Sequence, residues 1–169
     1  MADHDETMLV RLVRGVIGGV LAGMVFTGVT MWFATTMPGG KADMPLRMIS
    51  TIVKGSGAMA AGTTSPELGL IVHLVLSAAF GVVFVLAVPL FRSNGTVALA
   101  GTAYGALLYV VNFLVLAKLA FHVFEQANQP FELFAHIVFG TLLSFAFFGT
   151  GVRRSEHVIA LPSRRPIPH

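Results

Sequence analysis

The chain has 169 residues, 55% of them hydrophobic and 11% charged, with a net charge of +3. A soluble domain is about 25% charged, so this composition excludes an ordinary water-solvated globule and indicates a bilayer as solvent. The absence of cysteine excludes disulfides, thiolate metal sites, cysteine nucleophiles and covalently attached c-type haem. The few basic residues form no stripe for nucleic acid.

The first residues, Met1-Ala2-Asp3-His4-Asp5-Glu6, are acidic where a signal peptide is basic. The apolar run behind them is too long for a leader, so it reads as a retained span. Four stretches reach the roughly 20 residues needed to cross about 30 Å of hydrocarbon: about 15–37, 68–91, 97–119 and 131–152. Apart from Glu132 at the start of the fourth, no Asp, Glu or Arg lies in these stretches, and Lys118 ends the third, where it can snorkel to the interface. The predicted fold class is therefore all-α, a polytopic membrane protein with four transmembrane helices.

The connections differ in length. Loop 38–66 opens on Pro38-Gly39-Gly40 and closes on Gly62-Thr63-Thr64-Ser65-Pro66. Inside it Met44, Met48, Ile49, Ile52 and Val53 alternate with Arg47 and Lys54. Two readings stay open: an amphipathic helix on the outer surface or lid over the bundle, and a plain connecting loop. Ser65-Pro66-Glu67 places a cap, a first-turn proline and an acid at a helix start. Gln129-Pro130-Phe131-Glu132 does the same with glutamine as a poorer cap. The turn Arg92-Ser93-Asn94-Gly95-Thr96 is short, which makes spans two and three antiparallel neighbours.

With the N-terminus inside, the inner segments hold Arg11, Arg14, Arg92, Arg153, Arg154, Arg164 and Arg165. The outer segments then hold Lys41, Arg47, Lys54 and Lys118. This bias places both termini in the cytoplasm. Residues 1–152 read as one transmembrane domain, and 153–169 as a basic, disordered cytoplasmic tail.

The chain also says one thing twice. His73, Ser77 and Gly81 recur as His136, Gly140 and Ser144, a histidine with small residues four and eight positions later. On a helix these share one stripe. Gly19 and Gly23 match Gly101 and Gly105, and the same register aligns Thr30 with Asn112, both polar in apolar surroundings. The domain thus reads as two duplicated hairpins, repeat 1 over about 12–91 and repeat 2 over about 97–152. In a bundle of that kind spans two and four lie diagonally, and His73 faces His136 across the axis. Small residues four apart are also the ordinary means of close helix packing in lipid.

His73 and His136 are the only histidines well inside the spans, and an ionisable group there marks a functional site by default. Three uses compete. The pair can ligate haem b axially, with the small residues leaving room for the porphyrin. His73, His122, Glu132 and His136 can form a metal site for zinc, iron or copper. Each histidine can instead hydrogen-bond across helices, with Thr30, Asn112, Tyr104 or Tyr109 as partners. No serine motif, phosphate loop or carboxylate pair within a span supports an enzyme.

The pattern resembles an uncharacterised family of small bacterial four-span membrane proteins. The residues that carry the likeness are Gly19 and Gly23, Pro45-Leu46, His73 with Gly81, Tyr104-Gly105, and His136 with Gly140. The resemblance implies a bacterial inner-membrane protein with an accessory role beside respiratory complexes, and it supplies no catalytic residue. The expected function is a non-catalytic accessory subunit that stabilises a larger membrane complex or contacts lipid or quinone. Its partners are the bilayer and other membrane subunits or further copies of itself. Haem or metal binding through His73 and His136 is the first alternative, and a small oligomeric transporter the second.

Overall fold

Each long helix begins on a side chain that answers its free backbone donors. Thr7 accepts from the Val10 amide and starts α1, Met8–Thr36. That helix meets no proline until Pro38, and Gly39 takes a positive φ of 69° just beyond it. Ser65 accepts from the Leu68 amide at 3.1 Å and starts α3, Pro66–Ala87, with Pro66 in the first turn. Ser93 and Thr96 cap each other reciprocally and start α4, Asn94–Leu119. The last helix, α5, covers Gln129–Phe145. Its cap is Asn128 rather than Gln129: the asparagine carboxamide accepts from the Phe131 amide at 3.1 Å, so this start is as well built as the one at Ser65.

The computed structural model describes residues 7–150, and among them it is all-α with no strand. Three helices are long and apolar enough to cross a membrane: Met8–Thr36, Pro66–Leu90 and Asn94–Leu119. The expected fourth span, 131–152, is helical only through Phe145, and α5 has 17 residues. A turn over 146–149 follows. The tail 153–169 and the last residues of that span lie outside the described residues.

Loop 38–66 is not a plain connection. Met44–Lys54 form helix α2, followed by a short 3-10 turn over Ser56–Ala58. A Cβ on Gly69 would strike the Leu46 carbonyl, so only glycine lets α2 lie on the first turn of α3. Arg47 holds Asp43 at 2.7 Å and reaches the Thr64 carbonyl, while the Ser50 hydroxyl accepts from the Ser65 amide at 3.3 Å.

The third span also departs from a regular helix. Val110–Leu116 form a seven-residue π-helical stretch inside α4. Nothing in the apolar run announces it.

The stripes of small residues are where backbones touch. A Cβ on Gly19 would meet the Ser77 carbonyl and Gly81, and Gly81 sits on the Gly15 carbonyl. On the other pair of helices, Gly101 sits on the Gly140 carbonyl and Ser144, and Gly105 on the His136 carbonyl. α1 thus closes on α3, and α4 on α5, by the same device. α1 also packs on α5, where a Cβ on Gly18 would lie 3.3 Å from Leu143 Cδ1. α3 and α4 are neighbours through a side chain rather than through backbone contact. The Tyr104 hydroxyl donates to the Phe80 carbonyl at 2.9 Å, and its ring lies 5.3 Å from that of Phe84. The end near Arg92 is closed by large side chains: Phe84, Val85, Val97, Leu143 and Phe147 are at most 1% exposed.

Candidate functional site

At the opposite end, beneath α2, the four long helices part around a cavity of about 620 Å³. Its wall is mostly apolar. α1 contributes Phe26 and Phe33, α3 Leu76 and Phe80, and α4 Leu108 and Phe113. α5 contributes Phe131 and Phe139. α2 adds Met44, Met48, Ile49 and Ile52, so the apolar face of this helix is cavity wall. Polar groups are few: Thr30, His73, Ser77, Asn112, Glu132 and His136 stand among them. A concave, apolar space of this size with a few converging polar groups is the usual form of a small-molecule site.

The hydrogen bonds assign both histidine tautomers. His73 Nε2 lies 3.0 Å from the Gly23 carbonyl across the α1–α3 contact. A carbonyl only accepts, so Nε2 carries the proton and Nδ1 is left as an acceptor. His136 is the reverse. Its Nδ1 lies 2.7 Å from the carbonyl of Glu132, four residues back, so Nδ1 donates. Its Nε2 then accepts from the Asn112 amide at 3.4 Å. This also fixes Asn112, which must turn its NH2 toward the ring. Both imidazoles are neutral in this arrangement. The 4.0 Å approach of a Glu132 carboxylate oxygen to His136 Nδ1 is therefore no ion pair, because that proton is already given to a backbone carbonyl.

Asn112 lies in the π-helical stretch of α4. Such wide turns recur at functional sites, where they re-aim one side chain without breaking the helix. Thr30, at the matching position of α1, spends its hydroxyl on the Thr27 carbonyl of its own helix.

The two histidine rings share one neighbour. Phe26 stacks on His73 with centroids 5.3 Å apart and meets His136 edge-on at 5.0 Å. Sequence reasoning passed over Phe26, although its position is legible: it stands three residues after Gly23 and four before Thr30, on the same stripe. Gly69 was passed over too, because its role depends on where α2 lies.

The expected metal set does not assemble. His122 is exposed and its Nδ1 lies 2.8 Å from Glu125. Among the described residues no three of His, Cys, Asp and Glu lie together as a metal site. Axial haem ligation fits these residues poorly as well. Both Nε2 atoms are engaged, with Gly23 and Asn112, and Phe26 packs on both rings. The other proposed partners are used elsewhere: Tyr104 on Phe80, and Tyr109 on Gln129 Oε1 at 3.2 Å.

No protein-family model, curated protein or solved structure matches the chain. The site is accordingly read from its own chemistry.

Proposed function

We propose that this chain is a four-span, non-enzymatic protein of the bacterial inner membrane that binds a small hydrophobic molecule within the bilayer. It would serve as an accessory subunit of a larger membrane assembly. The observation that carries the binding role is the cavity of about 620 Å³ walled by aromatic and methionine side chains. Membrane placement rests on the three long apolar helices. α5, at 17 residues, spans roughly 26 Å, close enough to the hydrocarbon thickness of about 30 Å to complete a fourth crossing with modest thinning. The matching contacts at Gly19 and Gly101 favour two duplicated hairpins. Exposed apolar side chains such as Leu21, Met24 and Trp32 on α1 suit contact with lipid or other subunits.

Two measurements test this. In nanodiscs, the neutral fluorophore 1-naphthylmethanol is expected to bind saturably, and Leu76→Trp, which fills the cavity, to abolish binding. Equal binding by both proteins would place the fluorophore in lipid and remove the binding role. Because the chain lacks cysteine, a single Lys54→Cys reports orientation. It should react with an impermeant maleimide from the periplasmic face, and reaction from the cytoplasmic face would reverse the topology.

A further inference from the structure

We infer that the cavity selects a hydrophobic amine, a ligand with an aromatic or branched apolar body and one protonated nitrogen. The inference rests on the binding role proposed above and names the class of molecule bound. The cavity wall contains no lysine and no arginine. Its one formally charged side chain is Glu132, which is 15% exposed. Among the described residues the Glu132 carboxylate makes no hydrogen bond. Its nearest partner, His136, has both ring nitrogens committed elsewhere. A carboxylate withdrawn from water in apolar surroundings is costly unless a cation or a proton meets it.

The remaining free capacity points the same way. In the neutral ring, with Nε2 donating to Gly23, His73 Nδ1 is an acceptor that makes no hydrogen bond among the described residues. Asn112 turns its NH2 to His136, which leaves its carbonyl oxygen as acceptor. The rings of Phe26, Phe80, Phe113, Phe131 and Phe139 line the same space, and aromatic rings can attract cations. A ligand that supplies donors and positive charge therefore meets acceptors and π faces. An anion would meet Glu132 with no compensating base.

The test compares three probes of one shape in nanodiscs by fluorescence anisotropy: 1-naphthylmethylamine, 1-naphthylmethanol and 1-naphthoate. The amine is expected to bind about tenfold more tightly than the alcohol, the gain of one charge-assisted hydrogen bond, and the carboxylate not to bind. Glu132→Gln should bring the amine-to-alcohol ratio to about one, while Glu125→Gln, outside the cavity, should keep the wild-type ratio. Thermal unfolding of both variants establishes that they fold. Equal affinity for amine and alcohol in the wild type would overturn the inference and leave the binding role standing. So would a preference for the amine that survives Glu132→Gln. Failure of every probe to bind saturably would overturn the binding role itself.

Discussion

At the Arg92 end of the bundle, Phe84, Val97, Leu143 and Phe147 fill the space between the helices and lose essentially all exposure. At the α2 end, Phe26, Phe80, Phe113 and Phe139 ring a hollow. Both ends are rich in phenylalanine, so composition does not separate them. What separates them is where the small residues stop. Gly15, Gly19 and Gly23 on α1, and Gly101 and Gly105 on α4, draw the helices together as far as His73 and His136. Beyond that level the same stripes carry Phe26 and Thr30, or Leu108 and Asn112, whose side chains hold the helices apart. The cavity reaches one to two turns past the histidines, to Phe80 on α3 and Phe139 on α5, so the two rings stand in its wall.

The contrast can be broken from the packed end first. Phe84→Ala should cost about 3 kcal/mol, the low end for a core Phe→Ala, because lipid offsets part of the lost transfer term. Leu76→Ala on the cavity wall should cost about 1 kcal/mol or less. Equilibrium unfolding in mixed micelles measures both, and equal costs would erase the distinction between the ends. Next in size is the glycine contact. Gly105→Ala forces a methyl group onto the His136 carbonyl and should cost about 1–3 kcal/mol. Gly28→Ala, with nothing within 4 Å of the added carbon, should stabilise by up to about 1 kcal/mol through helix propensity. Destabilisation by both would mean that the cost at Gly105 does not come from the close backbone contact.

Smaller effects sharpen the picture at the cavity. Asn112→Leu removes the donor to His136 Nε2 and should cost about 1 kcal/mol. The imidazole signal of His136 in NMR should move while that of His73 stays. Movement of both would show that the two rings are coupled more closely than through Phe26. Asn128→Ala, a lost cap on α5, should cost about 0.5 kcal/mol and show as faster amide exchange confined to its first turn.

Much of this was legible in the chain because membrane helices announce themselves by length and by the absence of charge. The small-residue stripes were legible for the same reason: Gly19, Gly23, Gly101 and Gly105 repeat at a spacing only a helix places on one face. The direction of His73 and His136 toward a common space followed from that spacing. The rest depended on three-dimensional arrangement. The alternation of Met44, Met48 and Ile52 with Arg47 fits a helix but does not say which surface it covers. That answer comes from Gly69, whose missing side chain admits the Leu46 carbonyl. The end of α5 was overestimated because Ala146, Phe147 and Phe148 continue the apolar run while the backbone turns. His122 was grouped with the cavity because it follows the third span closely. It instead pairs with Glu125 on a 3-10 turn over His122–Gln126.

The π-helical stretch of α4 carries a consequence for the chain as a length of string. A π-turn holds more residues than an α-turn for nearly the same advance along the axis. α4 thus stores slack at Val110–Leu116, between the segment seated on α5 and the turn leading to His122. Removing a single residue there would take up that slack and leave an ordinary helix. The glycine contact at Gly105 would stay in register, and Asn112 would swing by about 100° away from His136. One missing residue would then withdraw Asn112 from the cavity while sparing the packed end, an outcome ordinarily reserved for substitutions.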